Sequence, residues 1–213
     1  NTQKHDFIDQ DLFNHGEVYG TGGTTGKPKF CFYTDSEFKL VGKLLGKSYL
    51  KLGLKENSKV GNLFMAGNLW SSFNAVQEAL KFCNVIQFPF GGSIDPDIFC
   101  KTVHSFGIEC LFGLPGLLVK LSEKSKGIKI KQIFYAGEIL SESMQKQLKQ
   151  NWEVEEFFSA GYASVDVGPI GFQDKTCNGT EHILFSDLIH LEVINEEAVV
   201  TSKVRQAMPV IRY

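Results

Sequence analysis

This sequence predicts an α/β fold: a mostly parallel sheet covered by helices, with a small antiparallel section at the C-terminal end. Three observations carry that expectation. Segments of β-forming residues alternate with segments of helical spacing between Phe30 and Gln150. Each glycine-rich stretch that stands out follows directly on a predicted strand. From Ile183 onward only short strand-like runs remain. Parallel neighbours need crossover helices between them, which accounts for the rhythm, and ligands of such sheets sit beyond the carboxyl ends of the strands.

Taken in order, Asn1 to Gly16 is polar with scattered Phe7, Ile8, Leu12 and Phe13, and reads as a lead-in segment. Val18-Tyr19 and Phe30-Cys31-Phe32-Tyr33 are β formers on either side of a glycine-rich loop, so that loop connects two strands. Thr34 with Glu37 makes a capping box, and Phe38, Val41, Leu44, Leu45 and Tyr49 recur at helical spacing, which predicts a helix from Asp35 to Leu52 stopped at Gly53. A buried strand follows from Lys59 to Ala66, then a helix from Trp70 to Phe82. The strand Val85 to Pro89 ends at its proline and the Gly91-Gly92 turn. Asp95-Pro96 opens the next helix as N-cap and first residue. Strand Glu109–Phe112, helix Leu117–Lys124, strand Gln132–Tyr135 and helix Ser141–Gln150 continue the alternation. Short strands at Ile183–Phe185, Leu188–Val193 and Ala198–Ser202, with a turn at Asn195-Glu196-Glu197, form the antiparallel tail.

With 213 residues the chain can bury a substantial core, and 43% apolar with 22% charged residues is an ordinary globular composition. A formal charge of −2 argues against a broad nucleic-acid face, which needs clustered excess Lys and Arg. The five cysteines, Cys31, Cys83, Cys100, Cys110 and Cys177, are widely spaced with no C-x-x-C. Without a signal peptide in view they read as reduced thiols of a cytoplasmic protein. No apolar run approaches the roughly 20 residues of a bilayer span, so no membrane partner is expected.

The stretch Thr21-Gly22-Gly23-Thr24-Thr25-Gly26-Lys27-Pro28-Lys29 supplies backbone freedom, hydroxyl donors and positive charge, a combination suited to cradling a polyphosphate. The P-loop pattern G-x-x-x-x-G-K-[ST] fails here twice: Thr21 stands where its first glycine belongs and Pro28 where its hydroxyl belongs.

These residues resemble the phosphate loop T-[SG]-G-T-T-G-x-P-K of the adenylate-forming acyl- and aryl-CoA ligases, and within them the phenylacetate-CoA ligases and their CapK-like relatives. The resemblance implies the N-terminal-domain core of the ligase fold over residues 1–213, lacking the extreme N-terminus and the C-terminal lid domain. It implies an enzyme that uses ATP to activate a carboxylic acid as its acyl-adenylate and then passes the acyl group to a thiol. Thr21 through Lys27 and Lys29 would hold the phosphates, with Thr25 and Lys29 acting in catalysis. Gly137 and Glu138, in Tyr135-Ala136-Gly137-Glu138, match a segment that lies against the nucleotide base.

Gly161-Tyr162-Ala163-Ser164-Val165-Asp166 resembles the family's Y-G-x-T-E, and Val167-Gly168-Pro169 extends the match towards the phenylacetate-CoA ligases. Tyr162 would stack on adenine beside Gly161, Ala163 and Ser164, and Asp166 would hold Mg²⁺. Three positions depart from the pattern. Asp166 is shorter than glutamate, Val165 replaces a threonine that would touch the substrate, and Ala163 replaces a glycine where φ is expected to be unusual. Ala207-Met208-Pro209-Val210-Ile211-Arg212-Tyr213 matches the run ahead of a ribose-binding aspartate and contributes Arg212 to catalysis. Without the lid, the isolated chain is not expected to turn over.

Candidates for the acid pocket are Trp70 and Phe73 after one strand and Gly113 and Pro115 after another, although aromatics at helix starts are more often core. Asp174, Cys177 and His182 place three zinc-ligand types in one loop with no fourth in view, so solvated loop residues are the alternative reading. The cofactors and partners implied are therefore ATP or AMP, Mg²⁺, a small carboxylic acid, coenzyme A as acceptor, and conditionally zinc. A carrier-protein thiol as acceptor, a homodimer and a non-catalytic nucleotide binder stay open.

Overall fold

The computed structural model describes residue 11 and residues 13–21 and 29–213. The sequence-based assignments at Gly22, Gly23, Thr24, Thr25, Gly26 and Lys27, and at Phe7, Ile8 and Leu12, lie outside the described residues.

Strands β1 (Gly16–Gly20) and β2 (Phe30–Thr34) pair antiparallel in a register that sets Gly20 against Phe30. Beyond that pair the Thr21 amide donates to the Lys29 carbonyl at 2.8 Å, and the Lys29 amide donates to Thr21 Oγ1 at 3.0 Å. The glycine-rich loop is thus pinned at both ends as a connection between two strands. Helix α1 (Asp35–Lys51) starts with the capping box expected of Thr34 and Glu37, each side chain meeting the other's backbone N–H.

The central sheet holds β3 (Lys59–Asn62), β4 (Ile86–Phe88), β5 (Cys110–Gly113), β6 (Gln132–Tyr135) and β7 (Glu156–Ser159) in the order β4-β3-β5-β6-β7, every pairing parallel. Between them run α2 (Ser72–Lys81), α3 (Pro96–Phe106), α4 (Pro115–Lys124) and α5 (Glu142–Trp152). Successive side chains of a strand face opposite ways, and the core divides accordingly. Phe112 and Phe134 pack with Tyr49 of α1 and Leu80 of α2, whereas Leu111 and Ile133 pack with Phe99, Leu118 and Trp152 of α3, α4 and α5. Both faces are covered, as the near-continuous apolar character of these strands requires.

Several boundaries differ from the sequence-based expectation, each for a local reason. β3 stops at Asn62 rather than Ala66 because the Asn62 side chain accepts from the Phe64 amide and donates to the Phe73 carbonyl, turning the chain out of the sheet. α4 begins two residues early because Pro115, with no N–H to lose, takes its first turn. β7 was not anticipated: its Glu156-Phe157-Phe158-Ser159 is too short and too polar at its start to stand out.

The antiparallel part is also larger than expected. β8 (Tyr162–Ser164), β9 (Gly168–Phe172) and β10 (Ile183–Leu184) form one sheet in the order β10-β9-β8. β11 (Ile189–Ile194) and β12 (Glu197–Ser202) form a hairpin whose two turn residues, Asn195 and Glu196, both take positive φ, the geometry that matches strand twist. The chain from Val210 to Tyr213 then lies along β12, with Val200 and Tyr213 exchanging both backbone hydrogen bonds.

A buried ion pair ties these pieces together. Arg205 Nη1 lies 3.2 Å from Glu37 Oε2, Nη2 donates to the Phe32 carbonyl at 2.6 Å, and the guanidinium sits 3.4 Å from the Tyr33 ring centre. Glu37 also accepts from the amides of Thr34, Gln206 and Ala207. Tyr33 in turn donates to the Val165 carbonyl at 2.7 Å. Burial pushes the Tyr33 phenol well above its usual range, so it remains a donor. One network therefore clamps β2, the start of α1, the turn after β8 and the segment at 205–207.

Candidate functional site

Beyond the carboxyl ends of β6 and β7 lies a cleft of about 1190 Å³. Gly137 and Glu138 form one wall, Gly161, Tyr162 and Ala163 a second, and Asp174, Cys177 and His182 a third. The first wall depends on a missing side chain. Gly137 has φ of +81°, and a Cβ placed there would come within 2.7 Å of Leu114 Cδ2. Glu138 accepts a hydrogen bond from the Gly116 amide at 3.0 Å, in the first turn of α4, where a carboxylate is favoured. It braces the loop after β6 against that helix.

On the second wall Tyr162 is 51% exposed, its ring open to the cleft and 5.9 Å from the His182 ring. His182 is fixed by two contacts. Its Nδ1 lies 2.8 Å from the Thr180 carbonyl and its Nε2 2.9 Å from Ser159 Oγ. A carbonyl only accepts, so Nδ1 donates to it, and Nε2 pairs with the serine hydroxyl. Ser159 Oγ in turn accepts from the Gly161 amide, and Gln173 joins the Ser159 amide to the carbonyls of Gly179 and Glu181. Ser159 and Gln173 were missed in the sequence, where isolated polar residues beside apolar ones give no signal.

These contacts favour the reading of Asp174, Cys177 and His182 as loop residues over a zinc site. Both nitrogens of His182 are committed elsewhere, and Asp174 Oδ1 accepts from the hydroxyl and the amide of Thr176 at 2.6 and 2.8 Å. The Thr176 hydroxyl, above all, holds the Asp174 carboxyl below its usual range. Among the described residues no three His, Cys, Asp or Glu side chains gather where a metal ion could sit.

Asp166 lies at the other end of the motif, only 5% exposed. Its Oδ1 accepts from Cys31 Sγ at 3.0 Å and its Oδ2 from the Tyr213 hydroxyl at 2.7 Å. Cys31 is two residues past Lys29, and Lys29 Nζ sits 5.4 Å from the Tyr213 ring centre. Tyr213 is raised to about 12, first because its phenol donates to Asp166 and then by burial. The structure thus sets the carboxylate beside the root of the glycine-rich loop.

The three departures from the ligase motif acquire physical meanings. Val165 packs against Tyr19, Cys31 and Tyr33, seating the turn on β1 and β2. Ser164 instead ties the turn to itself, its hydroxyl accepting from the Val167 amide at 3.1 Å. Ala163 is not among the positive-φ residues; the expected strain is absent, and a bulge between Tyr162 and Ala163 absorbs the irregularity instead.

Other candidates are not brought together. Arg212 points to Glu192 on β11, with 3.4 Å between charged atoms, while the next residue, Tyr213, faces Asp166. Phe73 packs into the core beside α1, Gly113 is buried against Leu118 and Leu63, and Pro115 is buried at the start of α4. Those three serve packing, and neither they nor Trp70 line the cleft. Trp70 is 45% exposed, on a loop whose Leu69 carbonyl accepts from the Gly20 amide at 2.8 Å.

Comparison with solved structures supplies the wider frame. The fold matches 2-hydroxyisobutyryl-CoA ligase in complex with 2-HIB-AMP and CoA with a TM-score of 0.76 at 16% identity, over 97% of this chain and 46% of that one. The chain has the fold of the adenylate-forming CoA ligases. A long-chain-fatty-acid-CoA ligase from Archaeoglobus fulgidus shares the ligase fold with a TM-score of 0.61 at 13% identity, over 86% of this chain and 41% of that one. So does O-succinylbenzoate coenzyme A synthetase from Bacillus subtilis in complex with AMP, with a TM-score of 0.59 at 15% identity, over 90% and 41%. The chain spans about half the length of these ligases or less. No protein-family model and no curated protein matches the sequence. Among the described residues, no helix is long and apolar enough to cross a membrane.

Proposed function

We propose that this chain is the nucleotide-binding core of an ATP-dependent acid–thiol ligase. One observation carries the reading: Gly137-Glu138 and Gly161-Tyr162-Ala163, distant in sequence, line one cleft, while Asp166, in the turn after β8, is folded onto β2 beside the loop that ends at Lys29. In this reading residues 1–213 form a single core domain of a longer enzyme. The adenine ring lies against Gly137 and stacks on Tyr162, and the triphosphate runs towards Thr21 and Lys29 through the loop residues Gly22 to Lys27.

A hard divalent cation fits the donor set, because Mg²⁺ is commonly held by one or two carboxylates together with substrate phosphates, and Asp166 would be the carboxylate. Bound there, the ion would neutralise phosphate charge as it shifts. The acid's carboxylate oxygen attacks the α-phosphorus, pyrophosphate leaves, and the thiol of coenzyme A then attacks the acyl carbon as AMP departs. The chain's own part is to position the reacting groups and balance their charge, so no nucleophilic side chain is required. Trp70, beside Gly20, is the candidate wall of the acid pocket.

Calorimetry tests the nucleotide site. ATP should bind, and the double variant Lys27→Ala with Lys29→Ala should bind it more weakly; an unchanged affinity counts against the reading. Pyrophosphate release by the full-length protein with a panel of aryl and acyl acids tests the chemistry. One observation favours a second reading, a nucleotide binder without turnover: Val165 carries no hydroxyl and packs instead against Tyr19, Cys31 and Tyr33. ATP binding without pyrophosphate release for any acid would select it.

A further inference from the structure

The two donors on Asp166 come from positions far apart in the sequence. Cys31, 135 positions away, is held on β2 by pairing with Tyr19 of β1, and its side chain is 1% exposed. Tyr213 is held by its backbone pairing with Val200 of β12. Each donor reaches a different carboxylate oxygen, at 3.0 and 2.7 Å, which fixes the carboxylate plane as well as its position. Each oxygen has a second lone pair, so both bonds can persist while the carboxylate faces another partner. We propose that Cys31 and Tyr213 are positioning residues that aim Asp166 at the divalent cation accompanying ATP, an inference that rests on the nucleotide site proposed above.

Two physical points support it. Hydrogen bonds of this kind to metal-binding carboxylates are worth about 10–100-fold in metal affinity when lost. The contact of Lys29 Nζ with the Tyr213 ring places the aromatic between the loop's terminal charge and the carboxylate, so both sides of the site are set by one side chain.

The test compares ATP affinity with and without Mg²⁺ by calorimetry on the full-length protein, the readout being the ratio of the two dissociation constants. Asp166→Asn should collapse the wild-type ratio. Tyr213→Phe, which keeps the ring and removes only the donor, should lower the ratio by about 10–100-fold while metal-free ATP affinity stays near wild type. Cys31→Ala should act in the same direction, and Cys31→Ser, which retains a donor, should restore part of the loss. Thermal melts of each variant confirm folding, and the two Cys31 variants carry the test if Tyr213→Phe does not fold. A wild-type ratio in both Tyr213→Phe and Cys31→Ala overturns the inference and leaves the nucleotide site standing. A wild-type ratio in Asp166→Asn removes the cation from Asp166 and the inference with it.

Discussion

Removing the guanidinium of Arg205 should cost a large share of the protein's stability. The side chains of Arg205 and Glu37 are 2% and 8% exposed, and Arg205 makes two hydrogen bonds besides covering the Tyr33 ring. In Arg205→Met the Glu37 carboxylate keeps three backbone donors but loses its counter-charge, and the Phe32 carbonyl loses its guanidinium donor. Breaking a buried pair by removing one partner costs about 3–5 kcal/mol, because the remaining charge stays buried without compensation. That is a large fraction of the roughly 5–15 kcal/mol by which a domain is stable. Glu37→Met should cost at least as much, since it also strands the amides of Gln206 and Ala207. The double variant should fall short of the sum of the singles by about 1–3 kcal/mol, the coupling expected of residues in one network. Urea titrations followed by tryptophan fluorescence and by circular dichroism measure all three. A loss below about 1 kcal/mol for Arg205→Met, or strict additivity, would refute the view that this pair clamps the segments together.

Three further expectations follow from the same contacts. Tyr162→Ala should weaken ATP binding by about 1–3 kcal/mol in calorimetry, the worth of a base stack, whereas Tyr162→Phe should bind nearly as well as wild type. Gly137→Ala should lower stability by roughly 1–3 kcal/mol in thermal melts, because its φ of +81° and the close approach of Leu114 both disfavour a Cβ. Burial pushes Cys83 and Cys110 from 9.0 up to about 12, so the folded state binds more protons than the unfolded one across that interval. Their contribution to stability is present in full below pH 9.0 and is lost as pH rises through about 12. Alkaline denaturation should therefore be less steep in the Cys83→Ala, Cys110→Ala variant, and an unaltered slope would show that the thiols do not contribute to it.

The covered parallel sheet could be read from the sequence because its signals are local. Thr34 and Glu37, Asp95 and Pro96, and Ser141 act within one turn of the helices they start, and the caps form as expected. Gly137 could be placed for the same reason, since a glycine-rich segment after a strand marks the end of that strand, and the structure puts it there; Gly161 follows β7, a strand with no local signal. The three zinc-ligand types show where such local signals stop. Spacing put Asp174, Cys177 and His182 in one loop, but Thr176, Thr180 and Ser159 supply nearer hydrogen-bond partners.

By itself, then, the sequence determined the five helices and the strands β3 to β6, since those depend on neighbours a few residues away. Only the tertiary structure decided what meets at the site. Arg205 finds Glu37 across 168 positions and Cys31 finds Asp166 across 135, and no periodicity encodes such a pairing. The reason is energetic: a buried charge must be matched by whatever donor or acceptor the packed core brings within reach, and that partner exists only once strands, helices and the chain's final segment have closed around it.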